Sequence, residues 1–502
     1  MAQVFMLPHR FPFTILDVST LLVFIVTFLL AVRLLRKGQM PGNLPPSVPG
    51  GWPLLHHLPT LFRADVRLQL DKWARGLGDV YHVKIFWDEM YVVSGYDALK
   101  EMMEAEVFST RFDACTSAIT GDGQDIIMAP YGEIFKKRRR FATSVFRQLG
   151  VKMGRGSIQD QIQEEARSIC VRISGYREQP FDVSADLATA AGNITCALVF
   201  GKRFDYGDTR FQHLQTTMKN LGAEMAKWKV PFITYFPIVQ DAAAGQKFYS
   251  KKVQQFIREE IDRHRLNLNP EDPRDFIDYC LLQLAQQDGS GTWLKEDNVV
   301  YIIQDLFLAG MDTTAATLTW ALLYMILYPD IQQKVQSELD SVLGATKPSL
   351  AHRDQLPFTT ATIMETQRIR HISPVLFGRW AAESTRFRGF DIAKGTYLAP
   401  NLRSVHMDPE AWPDPEIFDP NRFLDVESKV VKNPPSFLPF STGRRSCLGE
   451  QLAKMELFLL FSAILQHFTL KVPEGAPTPS TEGIFKSLSM VPAPFQLCAV
   501  SR

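Results

Sequence analysis

Apolar residues recur every three or four positions through most of residues 130–350. That period predicts helices over 152–172, 211–226, 248–266, 295–328 and 329–343. The helix at 295–328 is apolar nearly all round, the pattern of an element buried on every side rather than one lying on a surface. Residues 60–110 mix helical stretches with two short runs, 80–85 and 90–93, whose composition reads as strand. The last third is broken by Pro and Gly into short strands, with one amphipathic helix at 450–466 and a strand-rich tail. The fold class that follows is mainly α with small β-sheets.

The N-terminus has another pattern. Residues 15–32 are almost wholly apolar, interrupted by Asp17 and a few hydroxyls, and are long enough to span a bilayer. Arg33, Arg36 and Lys37 follow the run and Arg10 precedes it, so the body of the chain is expected on the cytosolic side. A cleaved signal would carry its charge first and end in small residues, so an uncleaved single-pass anchor is expected over 1–37. Residues 38–59 hold Pro45, Pro46, Pro49 and Pro53 with Gly50 and Gly51, and read as a stiff hinge. No repeat or linker divides 60–502, which reads as one domain. His56 and His57 read as solvated loop, because no third metal ligand lies nearby. The sequon Asn193-Ile194-Thr195 would go unused on the cytosolic side.

Charge and cysteine usage narrow the class. The 55 Lys and Arg against 54 Asp and Glu leave a net charge of +1, so no global field recruits nucleic acid. The six cysteines are scattered without a CxxC spacing, which argues against zinc and against a disulfide framework.

One of them, Cys447, sits between Arg445 and Gly449 just before the helix at 450–466. A helix N-terminus and neighbouring arginines favour a thiolate. Gly443 and Gly449 would let the chain turn and a flat ligand approach. Such a thiolate can be a nucleophile, a redox thiol or a metal ligand, and a buried structural cysteine is the plain alternative. A second constellation, Ala309-Gly310-Met311-Asp312-Thr313-Thr314, interrupts the long helix with residues that disfavour helix interiors. Its hydroxyls can bond carbonyls one turn back, and Gly310 is expected to open a groove where water enters. Glu365 and Arg368, three apart, share a helix face. The basic run 136–140 reads by itself as a solvated face.

Taken together these motifs resemble a known family. Phe440-x-x-Gly443-x-Arg445-x-Cys447-x-Gly449 is similar to the haem-ligand signature of the cytochrome P-450 (haem-thiolate monooxygenase) superfamily, and the chain from the hinge onward resembles its animal microsomal drug-, fatty-acid- and steroid-hydroxylating members. The resemblance implies the haem-thiolate fold and haem b, iron protoporphyrin IX, with Cys447 as the iron ligand. Asp312 and Thr313 would relay protons to dioxygen. Glu365, Arg368 and Arg422 would form a structural triad. Arg445, Arg139, Arg111 and Arg379 would hold the haem propionates, and Phe440, Gly443 and Gly449 would complete the cofactor site. Phe135 stands where the family has Trp, and so lacks an indole donor.

Electrons would come from NADPH through a separate reductase, since the chain carries no Rossmann or flavin fingerprint. Lys136, Lys137, Arg138 and Arg140 would form a basic face for that reductase and for cytochrome b5. By family position a lipophilic substrate would meet Ile119, Leu221, Asp305, Ala309, Leu376 and Leu488. Asp305 could pair with a basic amine or satisfy nearby backbone N–H groups. Two rivals stand beside a monooxygenase of the endoplasmic-reticulum membrane. A haem-thiolate isomerase or dehydratase would not need the Asp312–Thr313 pair. A non-catalytic membrane-tethered haem-binding protein would not need a donor-docking face.

Overall fold

The computed structural model describes residues 42–502 apart from 54, 64, 86–87, 112–119, 122, 152–156, 227–243, 288–291, 375–377, 432–433 and 487–488, and before them only Thr20, Val23 and Thr27. The expected anchor therefore lies outside the described residues except at those three positions.

Helix α1 (Val66–Leu77) starts at Asp65, whose carboxylate accepts the Arg67 N–H. It leads into β1 (Val80–Ile85), β2 (Asp88–Val93) and α2 (Tyr96–Glu104). Strands β3 (Arg379–Trp380) and β6 (Tyr397–Pro400) return from far along the chain to give a four-stranded sheet in the order β1-β2-β6-β3. Its β2–β6 pair is parallel and the other two pairs are antiparallel. Between β3 and β6, β4 (Thr385–Phe387) and β5 (Phe390–Ile392) make a separate hairpin.

The proline-rich stretch lies along this sheet from Pro46 onward rather than standing away from it. His82 N–H donates to Pro46 C=O and Val48 N–H to His82 C=O. His57 is buried, not solvated as read from sequence: its ring sits between the Pro49 and Lys84 carbonyls.

The helical body follows as α3 (Glu133–Val151), α4 (Ile158–Ser174), α5 (Ser184–Phe200), α6 (Thr209–Ala226), α7 (Ala244–Leu266) and α8 (Phe276–Ala285). It continues through α9 (Glu296–Leu327), α10 (Pro329–Leu343), α11 (Pro357–Ile369) and α12 (Glu450–His467), and closes on β7 (Phe468–Lys471), β8 (Gly483–Lys486), β9 (Ser489–Pro492) and β10 (Cys498–Ser501). The predicted helices form within a few residues of the sequence reading. The one expected from 152 is described from 158, where the Ser157 hydroxyl caps it by accepting the Asp160 N–H. Helix α5 was not read from sequence, because it is buried on nearly every side and carries no polar stripe to give a period. The sequon falls inside it. Asn193 is 1% exposed and its side chain bonds both the C=O and the N–H of Phe204.

Helix α9 is the axis of the largest core cluster, packed against α5, α7, α11 and α12. Among the described residues it alone is long and apolar enough to cross a membrane, and most of its apolar stretch is buried inside the protein.

Candidate functional site

The Cys447 loop is built from its backbone outward. Residues Gly443–Arg445 form a 3-10 turn, Ser446 N–H donates to Gly443 C=O at 3.2 Å, and Cys447 N–H donates to Phe440 C=O at 2.9 Å. Gly449 then caps α12, with Ala453 N–H bonding its carbonyl at 2.9 Å. The two glycines differ in their task. Gly443 has φ 74°, and a Cβ there would run into the Met103 carbonyl of α2, so its need is a left-handed turn wedged against a helix. Gly449 has open space where a side chain would stand.

Cys447 is exposed, whereas Cys170, Cys196 and Cys280 are buried core thiols. It nonetheless lies deep enough that burial raises its pKa, and Glu450 adds to the rise. The Gly449 N–H and the Arg139 charge oppose them without winning. The loop by itself therefore does not lower the Cys447 pKa; a bound metal cation favours the thiolate further.

Beside this loop, four guanidiniums converge. Arg445 is 6% exposed; its Nε donates to Ser109 C=O at 2.9 Å, its Nη1 to Ile126 C=O at 3.2 Å and its Nη2 to Ala129 C=O. It lies over the Phe135 ring, 3.6 Å from the centroid. Arg139 donates to Ser446 C=O at 2.7 Å, and Arg111 to Ile127 C=O at 2.9 Å. Arg379, on β3, is 1% exposed. Burial first, and then repulsion from Arg111 and Arg445, depresses its pKa. Burial and the same kind of repulsion bring Arg445 down to about 9. Two acids stand among these cations, Asp125 and Asp305, and burial raises both, Asp125 to about 6. Four guanidiniums against two half-suppressed carboxylates leave at least two positive charges in excess in a buried place.

Asp305 ties this cluster to α9. Its Oδ2 accepts the N–H groups of Ile126 and Ile127 at 2.9 and 3.0 Å. The sequence reading of backbone partners is right in kind, but they come from another segment. Around the next turn Ala309 is exposed and Leu306, Gly310, Asp312 and Thr313 are half-buried, while most of the helix on either side is buried. The Thr313 hydroxyl donates to Ala309 C=O at 2.6 Å, as its position in the helix predicts. The helix is continuous through Gly310, and the Thr195 hydroxyl of α5 packs where a side chain would stand, 2.7 Å from the Cβ position. Asp312 is half-buried beside it. Two residues after Asp312, Thr314 is hydrogen-bonded to Glu456 of α12, a fully buried acid that burial pushes up to about 8. Sequence reasoning did not mark Glu456, which lies within an apolar helix without a motif of its own. It did not mark Asp125 either, whose only signal is an acid preceding Ile126-Ile127-Met128.

The brace forms as a unit. Arg368 donates to both oxygens of Glu365 at 2.6 and 2.7 Å, to His406 C=O at 2.8 Å and to Pro415 C=O at 2.9 Å. Arg422 Nε lies 3.5 Å from Glu365 Oε1. Helix α11 starts where Glu338 of α10 accepts the Phe358 and Thr359 N–H groups, each at 2.8 Å. The basic run divides. Lys137 and Arg140 are exposed, and Lys136 pairs with Glu133 and Glu106. Arg138 is buried and donates to the Gly123 and Trp293 carbonyls, so it belongs to the interior and not to the face assigned to it from sequence. Of the pocket candidates, Ala309 is exposed, Asp305 and Leu221 are buried, and Ile119, Leu376 and Leu488 lie outside the described residues.

The family model described as Cytochrome P450 matches residues 45–499. The chain is 36% identical to mouse cytochrome P450 2J5, with 97% of each chain covered. It is likewise 36% identical to cytochrome P450 2D6 of Pan paniscus, over 96% of this chain and 98% of the other. This protein belongs to the cytochrome P450 family. A zebrafish P450 structure with progesterone superposes at a TM-score of 0.80 and 29% identity, over 87% of this chain and all of that one. Another with abiraterone gives 0.78. This P450 is therefore a haem monooxygenase that hydroxylates lipophilic substrates, takes electrons from NADPH through a reductase and works at the endoplasmic-reticulum membrane. The residues fit the cofactor. A buried excess of at least two positive charges matches the two propionates of haem, an accessible cysteine stands beside it, and Gly449 leaves its side open.

Proposed function

We propose that this P450 hydroxylates uncharged lipophilic molecules such as steroids or fatty-acid esters, with Cys447 as the haem ligand. Bound there, haem supplies oxygen activation, and a thiolate ligand favours O–O cleavage. Arg445, Arg111, Arg379 and Arg139 hold the propionates. Phe135, in place of Trp, supports Arg445 through its ring face rather than offering a donor of its own. Thr313 presents its hydroxyl on the partly exposed turn of α9, and Asp312 beside it passes protons inward from solvent. Glu365, Arg368 and Arg422 keep the segments behind the cysteine loop in register.

The observation that carries the substrate reading is Asp305. It is buried one turn before Ala309, and its Oδ2 accepts the N–H groups of both Ile126 and Ile127. Buried and already accepting two N–H groups, it is not available to a basic amine. The zebrafish structures with progesterone and abiraterone support a steroid-sized ligand. The test is turnover in membranes reconstituted with the reductase, comparing a neutral steroid and a fatty-acid ester with a cationic amine of the same size. Preference for the neutral compounds supports the reading; preference for the amine, abolished by Asp305→Asn, overturns it.

Residues 1–37 form the single-pass anchor, and the catalytic body stays cytosolic. The exposed Lys137 and Arg140 receive the reductase and cytochrome b5, with Lys136 beside them.

A further inference from the structure

Asp125 is 0% exposed and lies among the arginines beside the Cys447 loop. Its Oδ2 accepts the Met128 N–H at 2.8 Å. Its Oδ1 is buried without a hydrogen-bond partner, and the residue makes no ion pair among the described residues.

The chain around Asp125 is clamped by charged side chains from four segments. Arg138 of α3 donates to the Gly123 carbonyl at 3.0 Å and to the carbonyl of Asp125 itself at 3.4 Å. Arg445 of the cysteine loop and Arg111 hold the carbonyls of Ile126 and Ile127. Asp305 of α9 accepts the N–H groups of the same two residues. The three arginines favour the Asp125 carboxylate, and Asp305 disfavours it.

An ionised oxygen without a donor is the costlier form of a buried acid, and here only the surrounding positive charge sustains it. Burial already brings the Asp125 pKa up to about 6. Arg445 and Arg111 are also assigned to the haem propionates, so bound haem takes up the charge that favours the carboxylate. Each negative charge added to this cluster tightens the hold of Asp125 on a proton.

We infer that Asp125 is a redox-linked proton site: its carboxylate takes up one proton from solvent when the reductase delivers one electron to the haem iron, which ties the reduction potential of the enzyme to pH. The only bond formed is the O–H bond at Asp125, and the proton offsets the charge that the electron brings. Asp125 acts here through charge and is not a catalytic residue. The inference rests on Cys447 and the arginines holding haem.

The experiment is potentiometric titration of the haem-loaded full chain between about pH 5 and about pH 9, beside Asp125→Asn, with the reduced carbon-monoxide spectrum taken on each sample. Asparagine keeps the size of the side chain and an acceptor for the Met128 N–H but cannot ionise. At the acid end both proteins carry a neutral side chain, and equal potentials are expected. As pH rises the parent's potential should fall below the variant's. At the alkaline end the variant should be reduced about tenfold more favourably, about 59 mV for one electron, which corresponds to a tenfold tighter hold on the proton in the reduced parent. Should Asp125→Asn load no haem, Asp125→Ser takes its place. Proton uptake on reduction of the parent, read with an indicator dye in weak buffer, then decides alone, and no uptake overturns the inference. A difference between parent and variant that is the same at every pH, with the red-shifted band present in both, overturns the inference and leaves Cys447 ligation standing. A parent without the shifted band overturns both.

Discussion

Single residues in this P450 are set against one another by burial. Cys447 is the clearest example, since its desolvation outweighs the helix end and the arginine that a local reading credits with making a thiolate. Residue types and spacing made the cysteine, the arginines and the Glu365–Arg368 pair legible. The sequence could not show what each guanidinium touches, because those partners are backbone carbonyls of 109, 126, 127, 129 and 446 that no side-chain motif encodes. Arg138, one position from Arg139, is turned inward by helix geometry for the same reason.

Glu456 gives a prediction at this scale. Its folded pKa of about 8 lies above the ordinary carboxylate value, chiefly through burial. Below the unfolded value both states hold the proton and nothing is lost. As pH rises from there toward 8 the unfolded chain ionises first, so stability falls, by up to about 1.4 kcal/mol per pH unit. Glu456→Gln cannot ionise. Its stability relative to the parent should rise between pH 5 and 8, read from urea midpoints at several pH values. A difference that does not change with pH would show that Glu456 ionises in the folded protein.

Elements meet here at small residues and buried pairs. Gly310 of α9 faces Thr195 of α5 so closely that Gly310→Ala should cost about 1–3 kcal/mol, as overpacking does. Thr195→Ala in the same chain should recover most of it. A double-mutant cycle on thermal unfolding measures this, and simple additivity of the two changes would mean that they do not touch. Helix α11 is held by Glu338 at its start and by the Glu365–Arg368 pair near its end. Arg368→Ala should leave Glu365 buried without its partner, cost about 3–5 kcal/mol and lower haem content in expressed protein. Full haem occupancy with unchanged stability would contradict the brace. Long periodic helices such as α9 and α10 were legible because their patterns are unambiguous. Helix α5 was not, because burial on all sides removes the period that would have marked it.

For the whole molecule, the small net charge leaves association to local patches. Lys137 and Arg140 are exposed on α3, whereas Arg138 is interior. Lys137→Glu with Arg140→Glu should slow reduction by the reductase about tenfold at low salt and less at high salt, with haem content unchanged. Arg138→Glu should instead reduce folded yield. Stopped-flow reduction and haem content distinguish these outcomes, and equal reduction rates in parent and double variant would remove the docking role. The path of the proline-rich stretch along β1 was not legible, since its backbone bonds to a strand leave no side-chain signature.

The central claim is that Cys447 ligates haem iron, and the most direct measurement is the absorption spectrum of the reduced, carbon-monoxide-exposed protein beside a Cys447→His variant. A strongly red-shifted Soret band in the parent, replaced in the variant by an unshifted one, is the predicted result. An unshifted band in the parent, or a shifted band that survives the change to histidine, would contradict it.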